Sequence, residues 1–257
     1  MRRLDLPRPP DEAGRMQPAA PPQGPPAAAP IAPARFLAVG AAGLGALAVA
    51  GWTLALRPPA LVLAALVFAA LAVGVAGAMR RGYPHPRIGA CNLVTLLRAA
   101  LVCALLAALW QGRTGGWPIA GIATLALALD GLDGWLARRS GLVSAFGARF
   151  DIEVDAAFAL VLTLHALART EIGGEVLILG LIRYVFVLAA WLWPWLAGPL
   201  PESRRRKLIC VAQLSVLIAL QTPLLAPDAA IIAVRLAAAA LVWSFWLDIH
   251  HLYTARR

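Results

Sequence analysis

Eight runs of about 20 predominantly apolar residues follow one another along this chain, and they constrain its fold more than any other feature. Each run is long enough to cross about 30 Å of hydrocarbon as an α-helix. The strands of a membrane barrel would instead alternate polar and apolar residues. The sequence therefore predicts an all-α integral membrane protein. The runs cover residues 34–56, 59–79, 92–112, 117–138, 149–170, 174–198, 207–226 and 229–252.

The composition divides the chain into four parts. Residues 1–33 are rich in Pro and Ala and lack periodicity, so we predict a disordered cytoplasmic tail. Residues 34–79 contain two transmembrane helices made almost entirely of Ala, Gly, Leu and Val. Residues 80–91 form a proline-containing connector, and residues 92–257 contain six apolar runs together with the charges embedded in them. We interpret that last part as a six-helix functional core and the first two helices as an addition to it.

The net charge of +10 arises mainly from arginines in the tail, in alternate connections and at the C-terminus. An excess of Lys and Arg marks the cytoplasmic side of a membrane protein. We therefore predict that both termini are cytoplasmic and that the protein lies in a plasma membrane, the inner membrane of a bacterium. The same distribution assigns the basic residues to topology and to contact with membrane lipid headgroups, not to nucleic-acid binding.

The acidic residues are concentrated in one place. Of the 13 Asp and Glu residues, five lie between residues 130 and 155. Asp130 and Asp133 share one face of the fourth predicted helix, and Asp151 and Asp155 share one face of the fifth. Four carboxylates brought together by two neighbouring helices repel one another unless cations bind them. Because oxygen ligands favour hard ions, we predict a site for Mg²⁺ or Mn²⁺ at the cytoplasmic edge of the membrane.

The neighbouring residues suit a phosphate ligand. Two metal ions a few Å apart can hold a diphosphate and neutralise charge on the attacking oxygen of a nucleophile and on the leaving oxygen of the diphosphate. Gly134 and Gly147 would let phosphates approach the backbone closely, and Arg138 offers several donors to phosphate oxygens. The alternative is a cation transporter, whose acids would lie at the membrane midplane in several helices. Here the acids lie on two adjacent helices near one face, beside an arginine that would repel a cation.

The spacing of these residues resembles the signature of the CDP-alcohol phosphotransferase family. The segment "NLVTLLR" at residues 92–98 is also similar to the opening of that family's first helix. The family has six spanning helices, and its signature joins the second and third, as it does in the predicted core here. The residues that match the signature are Asp130, Asp133, Gly134, Ala137, Arg138, Gly147, Asp151 and Asp155.

The resemblance implies a reaction in which an alcohol hydroxyl attacks the β-phosphorus of a CDP-linked substrate, often CDP-diacylglycerol, and CMP leaves. It implies two metal ions, with Asp155 either binding the second ion or accepting the proton of the hydroxyl. Homodimerisation is a further expectation from the family. The implied metal ligands are Asp130, Asp133, Asp151 and Asp155, and the implied contacts to the CDP group are Gly134, Ala137, Arg138 and Gly147.

The donor and the acceptor remain open at this point. A soluble CDP-alcohol donor with a lipid acceptor is the alternative to CDP-diacylglycerol with a polar alcohol. Arg183 either contacts a phosphorylated acceptor or pairs with a buried acid. Arg204 and Arg205 begin a basic run that is more typical of a topological signal but is also a candidate acceptor site. Glu153 lies off the Asp151–Asp155 face and is expected to pair with an arginine. Arg98 either has a structural role, which we favour, or lines the cavity.

Overall fold

The computed structural model describes residues 33–82, 89–140, 144–169, 172–201 and 203–256, and over those ranges it is helical and contains no strand. This confirms the all-helical class expected from the apolar runs. The predicted tail, apart from its last residue, and residues 83–88 of the connector lie outside the described residues. The helices are α1 (Pro33–Thr53), α2 (Pro58–Gly82), α3 (Ala90–Trp110), α4 (Trp117–Ser140), α5 (Ala145–Arg169), α6 (Leu177–Leu192), α7 (Arg204–Ala219) and α8 (Pro227–Ala255).

Within the described part of the chain, four helical segments are long and apolar enough to cross a membrane. Two shorter apolar helices cover Ala38–Thr53 and Trp117–Leu132. Charged residues in α5 and α7 make those two helices less apolar than α3, α6 and α8. The set fits a membrane protein. The four segments are Pro58–Arg80, Cys91–Trp110, Gly174–Leu192 and Pro227–Ala255.

One predicted span differs in structure from the single helix that its hydropathy indicates. Residues 174–198 divide into a 3₁₀ turn (Gly174–Val176), the helix α6 and a second 3₁₀ turn (Pro194–Ala197). The helix ends because Trp193 has extended backbone angles, φ −122° and ψ 90°, and is followed by a proline that lacks an N–H donor. Hydropathy does not register such a break, since both sides of it are apolar.

Helix α3 lies at the centre of the fold and packs against α1, α2, α4 and α5. Its buried positions include many small residues, among them Ala100, Ala104 and Ala108. Small side chains let helices approach closely where lipid supplies no hydrophobic drive for association. The central position of α3 brings one of its faces to α4 and α5 and another to the α1–α2 hairpin.

The α1–α2 hairpin is attached to α3 at both its middle and its turn. Phe68 on α2 is fully buried in a cluster that includes Leu96 of α3. At the turn, Ala55 has a positive φ of 46°. The side chain of Gln111, just after α3, accepts a hydrogen bond from the Arg57 N–H (2.7 Å) and donates one to the Ala55 carbonyl (3.3 Å). The hairpin turn is thereby fixed to the C-terminal end of α3.

The same end of the bundle is joined by contacts around Gln221. The carbonyl of Gln221 accepts hydrogen bonds from the Gly116 N–H (2.6 Å) and from the guanidinium of Arg169. The connections after α3, α5 and α7 therefore meet at one end. The C-terminal end of α4 and the N-terminal ends of α3, α5 and α7 lie at the opposite end, where the acidic residues are found.

Candidate active site

Three of the four predicted metal ligands converge in the structure. Asp130 comes from α4, and Asp151 and Asp155 come from α5. One oxygen from each carboxylate lies within 4.8 Å of the others. Their side chains are 26%, 34% and 22% exposed, respectively. A divalent cation of the hard type can be held by oxygens at such separations.

The antiparallel arrangement of α4 and α5 places these acids at a matching depth. Asp130 lies about 15 Å along α4 from its last residue at a rise of 1.5 Å per residue, and Asp155 lies about 15 Å from the first residue of α5. Helix α5 begins at Ala145, four residues before the apolar run that predicted it. This early start puts Gly147 one turn before Asp151 on the same helix.

The side chains of several residues singled out by the sequence lie outside the described part of the structure. Their backbone belongs to the last turns of α4, one turn or more beyond Asp130. Their assignment to the metal or to the CDP group therefore stays a prediction. These residues are Asp133, Gly134, Ala137 and Arg138.

Arg98 of α3 lies at the centre of the carboxylate cluster. Its side chain is 1% exposed, and its Nη1 lies 2.8 Å from Asp130 Oδ1 and 2.6 Å from Asp151 Oδ1. Its Nη2 contacts Asp155 Oδ1, and its Nε donates to the Ala126 carbonyl at 3.2 Å. A guanidinium in this position offsets the repulsion among the carboxylates. From the sequence, Arg98 was expected to be structural or to line the cavity, and its place among the carboxylates was not predicted, although a charge embedded in an apolar helix is itself a signal of function.

Gly147 lies against two polar residues that the sequence analysis did not assign. Its N–H donates to Ser144 Oγ at 3.0 Å. A Cβ at position 147 would lie 2.7 Å from Asn92 Oδ1 and 3.1 Å from Ser144 Oγ. Asn92 and Ser144 are both buried. A larger residue at position 147 would therefore displace the Asn92 side chain. Asn92 opens the "NLVTLLR" segment that carried part of the family resemblance.

A cavity of about 210 Å³ opens beside the cluster, between α5, α6, α7 and α8. Asp155 lines the cavity as well as belonging to the cluster. Arg183 and Arg206 line it from α6 and α7. Arg183 also contacts the Glu153 carboxylate, so it both pairs with an acid and faces the cavity.

The start of α7 is tied to α8 through Asp248. Arg205 Nη2 lies 2.7 Å from Asp248 Oδ1, and the Arg205 guanidinium lies 5.5 Å from the centre of the Trp243 ring. Arg206 Nη1 lies 3.4 Å from the same Asp248 oxygen. Arg206 of the basic run 204–207 lines the cavity. Arg204 is exposed, and Arg205 contacts Asp248 of α8.

Comparison with known proteins agrees with this geometry. The family model described as CDP-alcohol phosphatidyltransferase matches residues 89–247, more than half of the chain. No curated protein and no solved structure matches the chain significantly. The matched region contains Arg98, the three clustered aspartates and every residue that lines the cavity except Asp248. The chain therefore belongs to the CDP-alcohol phosphatidyltransferase family, a family of membrane-associated phosphotransferases of phospholipid biosynthesis that typically depend on a divalent metal ion.

Proposed function

We propose that this protein transfers a phosphatidyl group from CDP-diacylglycerol to a small, phosphorylated alcohol, with release of CMP. The observation that carries the proposal is the double position of Asp155, which belongs to the carboxylate cluster and also lines the cavity. A donor diphosphate at the cluster and an acceptor in the cavity would meet at this residue. The family membership supports the transfer of a phosphatidyl group from a CDP-linked alcohol.

We further propose that α3–α8 form the catalytic unit and that α1 and α2 are an addition. In support of this division, the family match begins at residue 89, just before α3. The distribution of Arg and Lys supports cytoplasmic termini and a cytoplasmic active site. Location in a bacterial inner membrane and homodimerisation remain predictions.

The oxygen ligands of the carboxylate cluster suit the divalent metal ion on which the family typically depends. Asp130, Asp151 and Asp155 offer oxygen atoms, the ligands that Mg²⁺ and Mn²⁺ prefer. We propose that they hold the ion together with Asp133 and that two ions are bound during turnover. Bound there, the ions would neutralise charge on the attacking oxygen of the acceptor and on the leaving oxygen of the diphosphate.

The chain's own residues supply the rest of the reaction. The acceptor hydroxyl oxygen forms a bond to the β-phosphorus of the donor, and the bond from that phosphorus to the bridging oxygen breaks. The bridging oxygen keeps the electron pair and leaves as part of CMP. The hydroxyl proton goes to the Asp155 carboxylate, which faces the cavity.

The lining of the cavity supports a small anionic acceptor. Arg183 and Arg206 bring two positive charges to its wall, and a guanidinium matches the geometry of a phosphate group. A volume of about 210 Å³ is below the range typical of drug-sized ligands. A small polar alcohol fits this space better than the headgroup and tails of a lipid, which favours CDP-diacylglycerol as the donor.

The proposal is tested by measuring CMP release from the purified protein in detergent or lipid nanodiscs. CDP-diacylglycerol is supplied with Mg²⁺ or Mn²⁺ and with glycerol 3-phosphate, inositol phosphate, serine, glycerol or inositol. We expect release with at least one phosphorylated acceptor and none after chelation of the metal. Absence of release with every acceptor and both ions would contradict the reaction. If CMP is released only when a soluble CDP-alcohol is supplied with diacylglycerol, the lipid is the acceptor and the soluble CDP-alcohol is the donor.

A further inference from the structure

Arg98 is a buried cation with four contacts in the candidate metal site or next to it. Its guanidinium contacts Asp130, Asp151 and Asp155, which come from two different helices. Its Nε donates to the carbonyl of Ala126, which lies one turn before Asp130 on α4. The arginine therefore connects α3 with both helices that carry the acids. Its planar fork of donors fixes the direction of each contact.

The charges of these groups leave a defined place for a metal ion. The three carboxylates described in the cluster and one guanidinium have a formal sum of −2 when the acids are ionised, which one divalent cation neutralises. Asp133 would add the further negative charge that a second ion meets. Each carboxylate has two oxygens and about four lone-pair sites, so contact with Arg98 leaves further oxygen sites for an ion. Arg98 and a metal ion can thus share the same carboxylates. Without either cation, the three acids would repel one another within 4.8 Å.

We propose that Arg98 is a positioning residue, which assembles the carboxylate cluster before the metal ion binds and then shares the carboxylates with that ion. The inference rests on the metal site of the proposed function and adds a residue that acts through the ligands. In the metal-free protein, Arg98 keeps α4 and α5 together at the depth of the cluster. In the metal-bound protein, the ion also holds α4 and α5 together through the carboxylates, so the loss of Arg98 lowers the melting temperature less.

Thermal unfolding with and without metal measures how much Arg98 and the ion each stabilise the folded protein. The full-length protein and its Arg98→Met variant are compared in one detergent, once with a chelator and once with saturating Mg²⁺ or Mn²⁺. A ligand that binds the folded state raises the melting temperature. In Arg98→Met the ion meets carboxylates that no guanidinium neutralises, so it should raise the melting temperature of this variant more. We expect the metal-induced shift of Arg98→Met to exceed that of the unchanged protein by at least about 3 °C. Arg98→Lys retains the charge and should give an intermediate shift.

The matched control is Arg235→Met, which removes an arginine from α8 that is 66% exposed and pairs with Glu175. Its metal-induced shift should equal that of the unchanged protein. An equal shift for Arg98→Met would overturn the inference, because Arg98 would then not share ligands with the ion. Recovery of folded Arg98→Met only when metal is present during purification would support it.

Two further outcomes separate this inference from the proposed reaction. If Arg98→Met cannot be purified under either condition, the metal-induced shift of Arg98→Lys is compared with that of the unchanged protein. Equal shifts would then overturn the inference. If no variant responds to metal, the metal site fails and the inference fails with it. If the metal-induced shifts follow expectation but no acceptor yields CMP, the reaction is contradicted while the role of Arg98 stands.

Discussion

Asp155 and Glu153 lie two residues apart on α5 and have different partners. The Asp155 carboxylate contacts Arg98 in the cluster, whereas the Glu153 carboxylate contacts Arg183. A separation of two residues turns a helix by about 200°, so the two side chains leave opposite sides of it. At the residue scale, the helical period therefore places Asp155 in the carboxylate cluster with Arg98 and Glu153 against Arg183.

Replacing Asp155 by Asn should lower CMP release by about 100-fold or more, because a positioned general base typically contributes 10²–10⁴-fold. The amide keeps the size of the side chain but cannot accept the hydroxyl proton. Initial rates at saturating acceptor measure the effect, with Asp228→Asn in the first turn of α8 as the control. A rate within twofold of the control would remove Asp155 from the proposed chemistry.

Replacing Gly147 by Ala should lower both the melting temperature and CMP release. The new Cβ would lie 2.7 Å from Asn92 Oδ1, and overpacking of this kind typically costs about 1–3 kcal/mol. Gly121→Ala is the matched control, since a Cβ at that position on α4 meets no heavy atom within 4 Å. Unfolding monitored in detergent should separate the two variants. An equal effect of both would show that the approach of Asn92 to Gly147 is not tight in solution.

The sequence predicted part of this site and missed part of it for a physical reason. The convergence of Asp130 with Asp151 and Asp155 follows from helical periodicity and an antiparallel connection, which are local properties. The places of Arg98 and Asn92 depend on how α3 packs against α4 and α5. No local pattern determines that packing, although the charge of Arg98 within an apolar run indicated a special role.

At the scale of helices, α5 and α6 approach closely beside the cavity. A Cβ at Gly180 of α6 would lie 2.8 Å from Thr163 Oγ1 and 3.1 Å from Leu160 Cα of α5. A small residue at a helix contact permits this distance between backbones. The contact fixes the wall that carries Arg183 relative to the helix that carries Asp155. The geometry between the proposed acceptor contacts and the proposed base thus depends on the packing of two helices.

The contact between α7 and α8 leads to a prediction about acceptor selectivity. Asp248 holds Arg205 and lies near Arg206, and it also adds a negative charge to the cavity wall. Asp248→Asn should therefore lower the KM for a phosphorylated acceptor, by about fivefold for a coupling of 1 kcal/mol. The KM for an uncharged alcohol should not change. Glu175→Gln, which alters the ion pair with Arg235 instead, is the control.

The opposite result would be informative as well. A higher KM for the phosphorylated acceptor in Asp248→Asn would mean that the carboxylate is needed to orient Arg206 toward the ligand. A change of equal size for charged and uncharged acceptors would show that Asp248 supports only the packing of α7 on α8. Steady-state kinetics with one acceptor of each kind distinguish these outcomes.

At the scale of the whole molecule, hydropathy located the helices but did not determine their arrangement. Each apolar run corresponds to a described helix, because length and composition suffice to identify a helix in a membrane protein. The break near Trp193 depends on one extended residue and the proline after it, and α5 begins at Ala145, before its apolar run starts; hydropathy detects neither feature. The position of the α1–α2 hairpin on α3 depends on side-chain packing, as at Phe68.

This position predicts the effect of removing the hairpin. A chain that starts at residue 83 should keep the carboxylate cluster, because α1 and α2 contribute none of its described residues. It should melt at a lower temperature, since lipid replaces the packed contacts around Phe68 less well than α2 supplies them. CMP release per folded molecule should stay within a few-fold of the full-length value. The full-length Phe68→Ala variant, which leaves a cavity in the same contact, should also melt earlier and keep its KM values. A truncated protein that is folded and monodisperse but inactive would show that the hairpin takes part in catalysis or in donor binding.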